Sequence, residues 1–136
     1  MDFFKSIAVA ASGLRAQAGR MRVISENIAN ADTMPSKPGE APYRRKVVTF
    51  QSSLDRELGV ATVQLGRIKR DRSDFKSQYE PGNPMADASG FIKKPNVDTM
   101  IESVDMREAQ RTYEANLNVI TTTRRMLART LDILRA

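Results

Sequence analysis

The side chains that could do chemistry are carboxylates, lysines, arginines and hydroxyls, because the sequence holds no Cys and no His. Those two absences exclude disulfide scaffolds, Cys/His zinc sites, thiolate nucleophiles and every mechanism with a histidine base. The acids with site-like spacing are Glu102, Asp105 and Glu108, which share a face of a predicted helix and would suit a cation. A helix N-terminus rich in acids accounts for them without one, through the helix dipole. Basic residues cluster at Arg44-Arg45-Lys46 and between Arg67 and Arg72. With Tyr43, Phe50 and Phe75 free to stack on bases, and a net charge of +6, these patches suit a nucleic acid. A solvated β face, or an interface with an acidic neighbouring subunit, accounts for them better, since no nucleic-acid-binding motif accompanies them. There is no glycine loop of the nucleotide-binding types. A carboxylate, Lys or Ser/Thr enzyme stays compatible with the composition, but no constellation singles out an enzyme, a cofactor, a metal or a small-molecule substrate. The asparagines remain. Asn27 and Asn30 close one helical pattern, and Asn116 lies inside another, beside Tyr113, Leu117 and Ile120. Asn is a poor mid-helix residue. A half-buried amide there would fix register, as in coiled coils, whereas an exposed one would do nothing of the kind.

The elements that must carry these groups are marked out by proline. All six prolines lie between Met34 and Asn96, with five of the seven glycines. The chain divides into residues 1–33 as an N-terminal helix, 34–96 as a small β-rich middle domain, and 97–136 as a C-terminal helix. In the first segment Ile7, Leu14, Met21 and Ile28 stand seven apart, with Phe4, Ala11, Ala18 and Ser25 three residues before them. In the last, Met106, Tyr113, Ile120, Leu127 and Leu134 repeat the spacing, with Gln110, Leu117, Arg124 and Leu131 as the partner column. Sustained heptads predict two long helices paired as an antiparallel coiled coil, so the fold class is mainly α with a β-hairpin-rich middle. Asp2 should cap the first helix and Asn30 to Thr33 should end it; Thr99 and Glu102 read as a capping box for the second.

In the middle, residues 43–50, 61–65, 66–71 and 74–79 predict a small antiparallel sheet, 52–58 a helical turn, and 80–84 a turn cluster. Arg45 is expected on the outer face of that sheet, where Arg45→Glu should do less harm than Ile120→Asp. From Ala8 to Gly19, eight of twelve residues are Ala, Ser or Gly, which lets neighbouring helices approach closely. A thin helical pair buries little of its own surface, so the pattern predicts a self-assembling or co-assembling subunit. The N-terminus lacks a secretory signal pattern, and no stretch approaches the ~18 apolar residues of a membrane span.

Ala11-Ser-Gly-Leu-Arg-Ala-Gln17 and Ser25-Glu-Asn-Ile-Ala-Asn-Ala-Asp-Thr33 resemble the N-terminal signature of bacterial flagellar rod and hook proteins. Pro95-Asn-Val-Asp98 and Ala109-Gln-Arg-Thr-Tyr-Glu-Ala-Asn116 resemble their C-terminal signature. Asn27, Asn30, Asn96, Tyr113 and Asn116 are the motif residues. Pro42-Tyr-Arg-Arg-Lys46, Tyr79-Glu-Pro-Gly-Asn-Pro84, Gly90-Phe-Ile-Lys-Lys-Pro-Asn-Val97 and the short length are similar to the proximal-rod members. Asn83 departs from the family's expected His, and Arg124-Arg125 is more basic than usual. The resemblance implies a structural subunit whose terminal helices line the inside of a hollow, torque-transmitting axial rod, with the middle further out. It implies uncleaved passage through the flagellar type III export apparatus to the periplasmic basal body. The implied partners are the chain itself, other rod proteins, the rod-base adaptor, the export gate and the surrounding membrane ring, and no nucleic acid. The competing reading is a small basic nucleic-acid-binding domain with a helical dimerisation hairpin.

Overall fold

The computed structural model describes residues 2–135. In chain order the elements are α1 (Phe3–Ala29), β1 (Lys46–Val47), β2 (Phe50–Asp55), β3 (Val60–Leu65), β4 (Lys69–Arg70), β5 (Lys76–Tyr79), β6 (Phe91–Lys94) and α2 (Thr99–Arg135). Two helices flanking a strand-rich middle is the arrangement that the proline distribution predicts.

The helix ends follow from local chemistry. Asp2 Oδ1 accepts from the backbone N–H groups of Phe4 at 3.1 Å and Lys5 at 3.3 Å, satisfying donors that have no intrahelical partner. At the other end Asn30 Nδ2 donates to the Glu26 carbonyl at 2.8 Å, and Thr33 Oγ1 donates to Asn30 Oδ1 at 3.2 Å, so the chain turns away where the sequence says it should. The start of α2 differs from expectation. Asp98, not Thr99, is the cap: its Oδ1 accepts from Met100 N at 2.9 Å. Glu102 is thereby released from the capping box and turns inward.

The middle is three two-stranded antiparallel ribbons, β1–β4, β2–β3 and β5–β6, rather than one sheet. Residues 52–58, expected as a helical turn, instead run along β2 into a tight hairpin. Asp55 Oδ1 accepts from Glu57 N and Leu58 N, and Gly59 supplies the left-handed residue (φ 63°) that leads into β3. Register pairs Phe50 with Leu65 and Asp55 with Val60.

Two compact units result, each drawing on all three linear segments. The first comprises Met1–Met21, Thr49–Arg67 and Arg107–Ala136; the second comprises Arg22–Val48 and Ile68–Met106. In the first unit the β2–β3 hairpin rests on α1. Ser12 Oγ donates to the Val9 carbonyl at 2.7 Å and accepts from Val63 N at 3.1 Å. The small residues of α1 permit this approach: a Cβ on Gly19 would lie 2.9 Å from a Leu65 methyl, and one on Gly13 would lie 2.9 Å from the Asn116 amide. Ala10, Ser12, Ala16, Ala109 and Thr123 are buried here. In the second unit the core is Val23, Ile24, Asn27, Ala31, Ile92, Pro95, Val97 and Glu102.

Burial along the helices shows where the heptad columns stand. On α2, Glu102, Ala109 and Thr123 are buried and Asn116 half-buried, each seven residues from the next. Met106, Tyr113, Ile120 and Leu127, four residues after each of these, are half-buried. The inner partner of the Met106 column is therefore this polar and small set. Gln110, Leu117, Arg124 and Leu131 face outward instead, and Leu134 is 77% exposed. On α1 the positions that meet α2 side chains are Gly13 and Arg20 in the first unit and Asn27 in the second. Ile7, Leu14, Met21 and Ile28 each stand one residue further on, about 100° round the helix. The first three are half-buried and Ile28 is exposed.

Candidate functional site

The densest chemistry lies in the second unit and is built around one buried carboxylate. Glu102 has no exposed surface. Its Oε1 accepts from the Arg45 Nε–H in a short charge-assisted hydrogen bond, and its Oε2 accepts from Asn27 Nδ2 at 3.1 Å. Arg45 also faces Asp71 at 3.6 Å and Asp105 at 3.5 Å. Burial works against its charge, but the Glu102 hydrogen bond and the charges of Glu102, Asp71 and Asp105 outweigh that and raise its pKa. A carboxylate withdrawn from water is costly unless both oxygens are bonded and a counter-charge is close. Here both conditions hold.

Asn27 joins the helix to the middle segment. Its Nδ2 donates to the Lys46 carbonyl at 2.8 Å as well as to Glu102, while its Oδ1 accepts from Lys46 N and from Tyr43 Oη, each at 2.9 Å. Both N–H donors and both oxygen lone pairs of the amide are used. Asn96 does the same for the other side: its Oδ1 accepts from Arg45 N at 2.8 Å, and its Nδ2 donates to Ser73 Oγ at 2.9 Å. Burial raises the Tyr43 phenol's pKa. The Ser73 backbone N–H on Asp71 is the chief reason that Asp71 lies below the ordinary carboxylate value.

The basic residues 44–46 each make internal contacts. Arg44 Nη1 donates to the carbonyls of Asp71 at 2.9 Å and Ser73 at 3.1 Å, and its guanidinium lies 4.2 Å from the Phe75 ring centroid. Arg45 holds Glu102. Lys46 Nζ donates to Glu26 at 2.9 Å, which lowers the pKa of Glu26 and raises that of Lys46. Arg45, expected on an outer sheet face, is the central cation of this network. The ranking that made Arg45→Glu the milder change rested on that outer placement.

Of the motif asparagines, Asn27 and Asn96 meet in this network, and Asn30 shapes the helix exit nearby. Asn116 lies in the first unit, half-buried against Gly13, with its Nδ2 on the Thr112 carbonyl at 3.1 Å. Tyr113 is half-buried there. Glu102, Arg45 and Tyr43 stand in the sequence reading with other roles, and their meeting with Asn27 and Asp71 in one network was not foreseen. The one available signal was an acid at the fourth residue of a helix whose cap position already held Asp98. The arrangement sets geometry: it locks one end of each helix to residues 43–46 and to the turn at 71–73.

Comparison with known proteins agrees with both ends of the chain. A family described as Flagella basal body rod protein matches residues 7–34, and one described as Flagellar basal body rod FlgEFG protein C-terminal matches residues 88–133. Between them these stretches contain Asn27, Asn30, Asn96, Glu102, Tyr113 and Asn116. The flagellar basal-body rod protein FlgC of Agrobacterium fabrum is 52% identical over 128 residues, covering 94% of this chain and 92% of that protein. The FlgC proteins of Bacillus subtilis and Salmonella typhimurium are 40% and 42% identical, covering 98% and 92% of this chain and 99% and 92% of theirs.

Proposed function

Because the chain belongs to the FlgC family of flagellar basal-body rod proteins, and is a structural subunit of that rod, we propose that its two helices pair antiparallel and present their outer apolar columns to neighbouring subunits. It assembles with other rod and basal-body proteins. In the finer reading the subunit sits in the proximal rod, contributes to a hollow shaft that transmits torque and passes exported subunits, and has no catalytic role. It reaches the periplasm uncleaved through the flagellar type III apparatus, and it meets the rod-base adaptor, the export gate and the surrounding membrane ring. Gly13 against Asn116 and Arg20 against Glu108 in the first unit support antiparallel pairing, because residue numbers rise on one helix as they fall on the other. Asn27 with Glu102 supports it in the second unit.

One observation carries the assembly reading. The helix–helix contacts include small and polar residues (Gly13 with Asn116, Arg20 with Glu108, Asn27 with Glu102), while several large apolar side chains are exposed: Phe4 is 70% exposed, Ile133 77%, and Leu117 and Leu131 about half. Such surface is worth roughly 25 cal/mol per Å² once covered. No helix of the described residues is long and apolar enough to cross a membrane, so these columns are not explained by a bilayer span. The nucleic-acid reading finds no support in the families and relatives that the chain matches. The test is the pair Leu117→Asp and Leu131→Asp, together in one chain. Both side chains are exposed, so the isolated protein should keep its stability within about 0.5 kcal/mol. Cells carrying it should export the protein but build no complete rod. Normal swimming would show that the outer columns are not the assembly surface.

A further inference from the structure

A cleft of about 310 Å³ opens in the second unit beside the polar network, walled by Tyr43, Arg44, Lys46, Arg70 and Phe75. That volume is at the lower end of the ~300–1,000 Å³ range of ligand clefts. No lining residue is acidic. Lys46 has Glu26 as its counter-ion, but among the described residues no ion pair joins Arg44 or Arg70 to a carboxylate. Arg44 spends Nη1 on two backbone carbonyls and lies against Phe75, which holds its plane fixed and leaves other N–H groups of the fork for a second acceptor. The β1–β4 ribbon then sets Lys46 directly opposite Arg70. Like charges facing each other across a strand pair are unfavourable, and the ribbon is only two residues long on each side. A cleft with a pre-oriented guanidinium, an opposed cation pair and no acid in its wall is complementary to an anion.

We propose that this cleft receives a glutamate or aspartate side chain of a neighbouring rod subunit. The inference deepens the assembly reading and rests on it. It assigns to the middle of the chain a charged contact, in addition to the apolar columns of the helices. A carboxylate between Arg44 and Arg70 would accept charge-assisted hydrogen bonds and relieve the Lys46–Arg70 opposition.

The experiment titrates the full-length protein, followed by amide NMR shifts, with three probes: acetyl-triglutamate amide, inorganic phosphate, and phosphatidylglycerol vesicles. The peptide should saturate, with shifts concentrated at residues 43–46, 70 and 75. Arg70→Gln should weaken it about tenfold and Arg70→Lys less, while Arg72→Gln, exposed and outside the cleft, should change it less than about twofold. In cells, Arg70→Glu should reduce the number of complete rods while the protein is still exported. Absence of saturation overturns the proposal. So does phosphate or vesicle binding that equals the peptide and depends equally on Arg70, or normal rods with Arg70→Glu. Failure of the assembly reading itself would be seen separately, as wild-type protein absent from purified basal bodies.

Discussion

Arg45→Ala is the sharpest perturbation of the polar network. It removes the Nε–H donor to Glu102 and the cation facing Asp71 and Asp105, and leaves a carboxylate whose side chain is 1% exposed. Breaking a buried pair by deleting one partner typically costs about 3–5 kcal/mol. The lower end applies, because Asn27 still donates to Glu102 Oε2 at 3.1 Å and the vacated space borders solvent, Arg45 being 21% exposed. About 3 kcal/mol is a large share of the ~5–15 kcal/mol that holds a domain together. With a urea slope of about 1–3 kcal/mol per molar, the midpoint should fall by roughly 1–3 M. The assay is urea unfolding at pH 7, read by circular dichroism and by tyrosine fluorescence, since Tyr43 belongs to the network. The double variant Arg45→Met/Glu102→Leu should recover at least half the loss, because it removes the stranded charge. An Arg45→Ala midpoint within about 0.3 M of wild type would refute the claim that Glu102 depends on this partner. A double variant as unstable as the single one would refute the claim that the stranded charge is the cause.

Hydrogen exchange of the isolated protein should be fast at residues 2–21 and 107–135, whose apolar columns await neighbours, and slowest near Asn27, Arg45 and Glu102. Exchange that is uniformly slow along α1 would contradict this. Asp71 and Glu26 both lie below their ordinary carboxylate values, so the stability they contribute is complete above that value and is lost as pH falls through their folded-state values. Thermal unfolding temperatures should accordingly drop between pH 5 and pH 3, and Glu26→Gln should flatten part of that drop. Gly13→Val should destabilise by about 1–3 kcal/mol through crowding of the Asn116 amide, and Asn116→Ala in the same chain should restore part of it, as measured by urea unfolding.

The sequence carries its helices openly. Long proline-free stretches, Asp2 at one start and Asn30 at one exit were enough to place them, and the turn-rich middle was equally plain. The inner faces were not legible for a physical reason. Among the positions where helix meets helix are Gly13, Arg20 and Asn27 on α1 and Asn116, Glu108 and Glu102 on α2, and none of these has the large hydrophobic side chain that periodicity detects. The visible columns at Ile7 and Leu117 mark a different surface. Glu102 and Arg45 were hidden in another way. A charged residue looks the same in sequence whether water or a counter-ion satisfies it, and these partners stand 57 residues apart. The hairpin at 50–65 was misread at 52–58 because Arg56-Glu57-Leu58 suits a helix as well as a turn, and Gly59 decides the matter through its backbone conformation.

The discontinuous make-up of the two compact units also governs when the chain can fold. Asn27 waits 75 residues for Glu102, and Arg20 waits 88 for Glu108. A polypeptide delivered N-terminal end first therefore passes three quarters of its length before either unit can close, with Asn27 and Arg45 solvated in the meantime. Closing so long a loop costs only about 0.6 kcal/mol more than closing one half its length, so the delay is a matter of timing rather than of final stability. Non-local closure of this kind slows folding. A chain that ends before residue 102 can form the β2–β3 and β5–β6 hairpins but holds neither long-range partner, and the arrival of α2 is the event that closes both units.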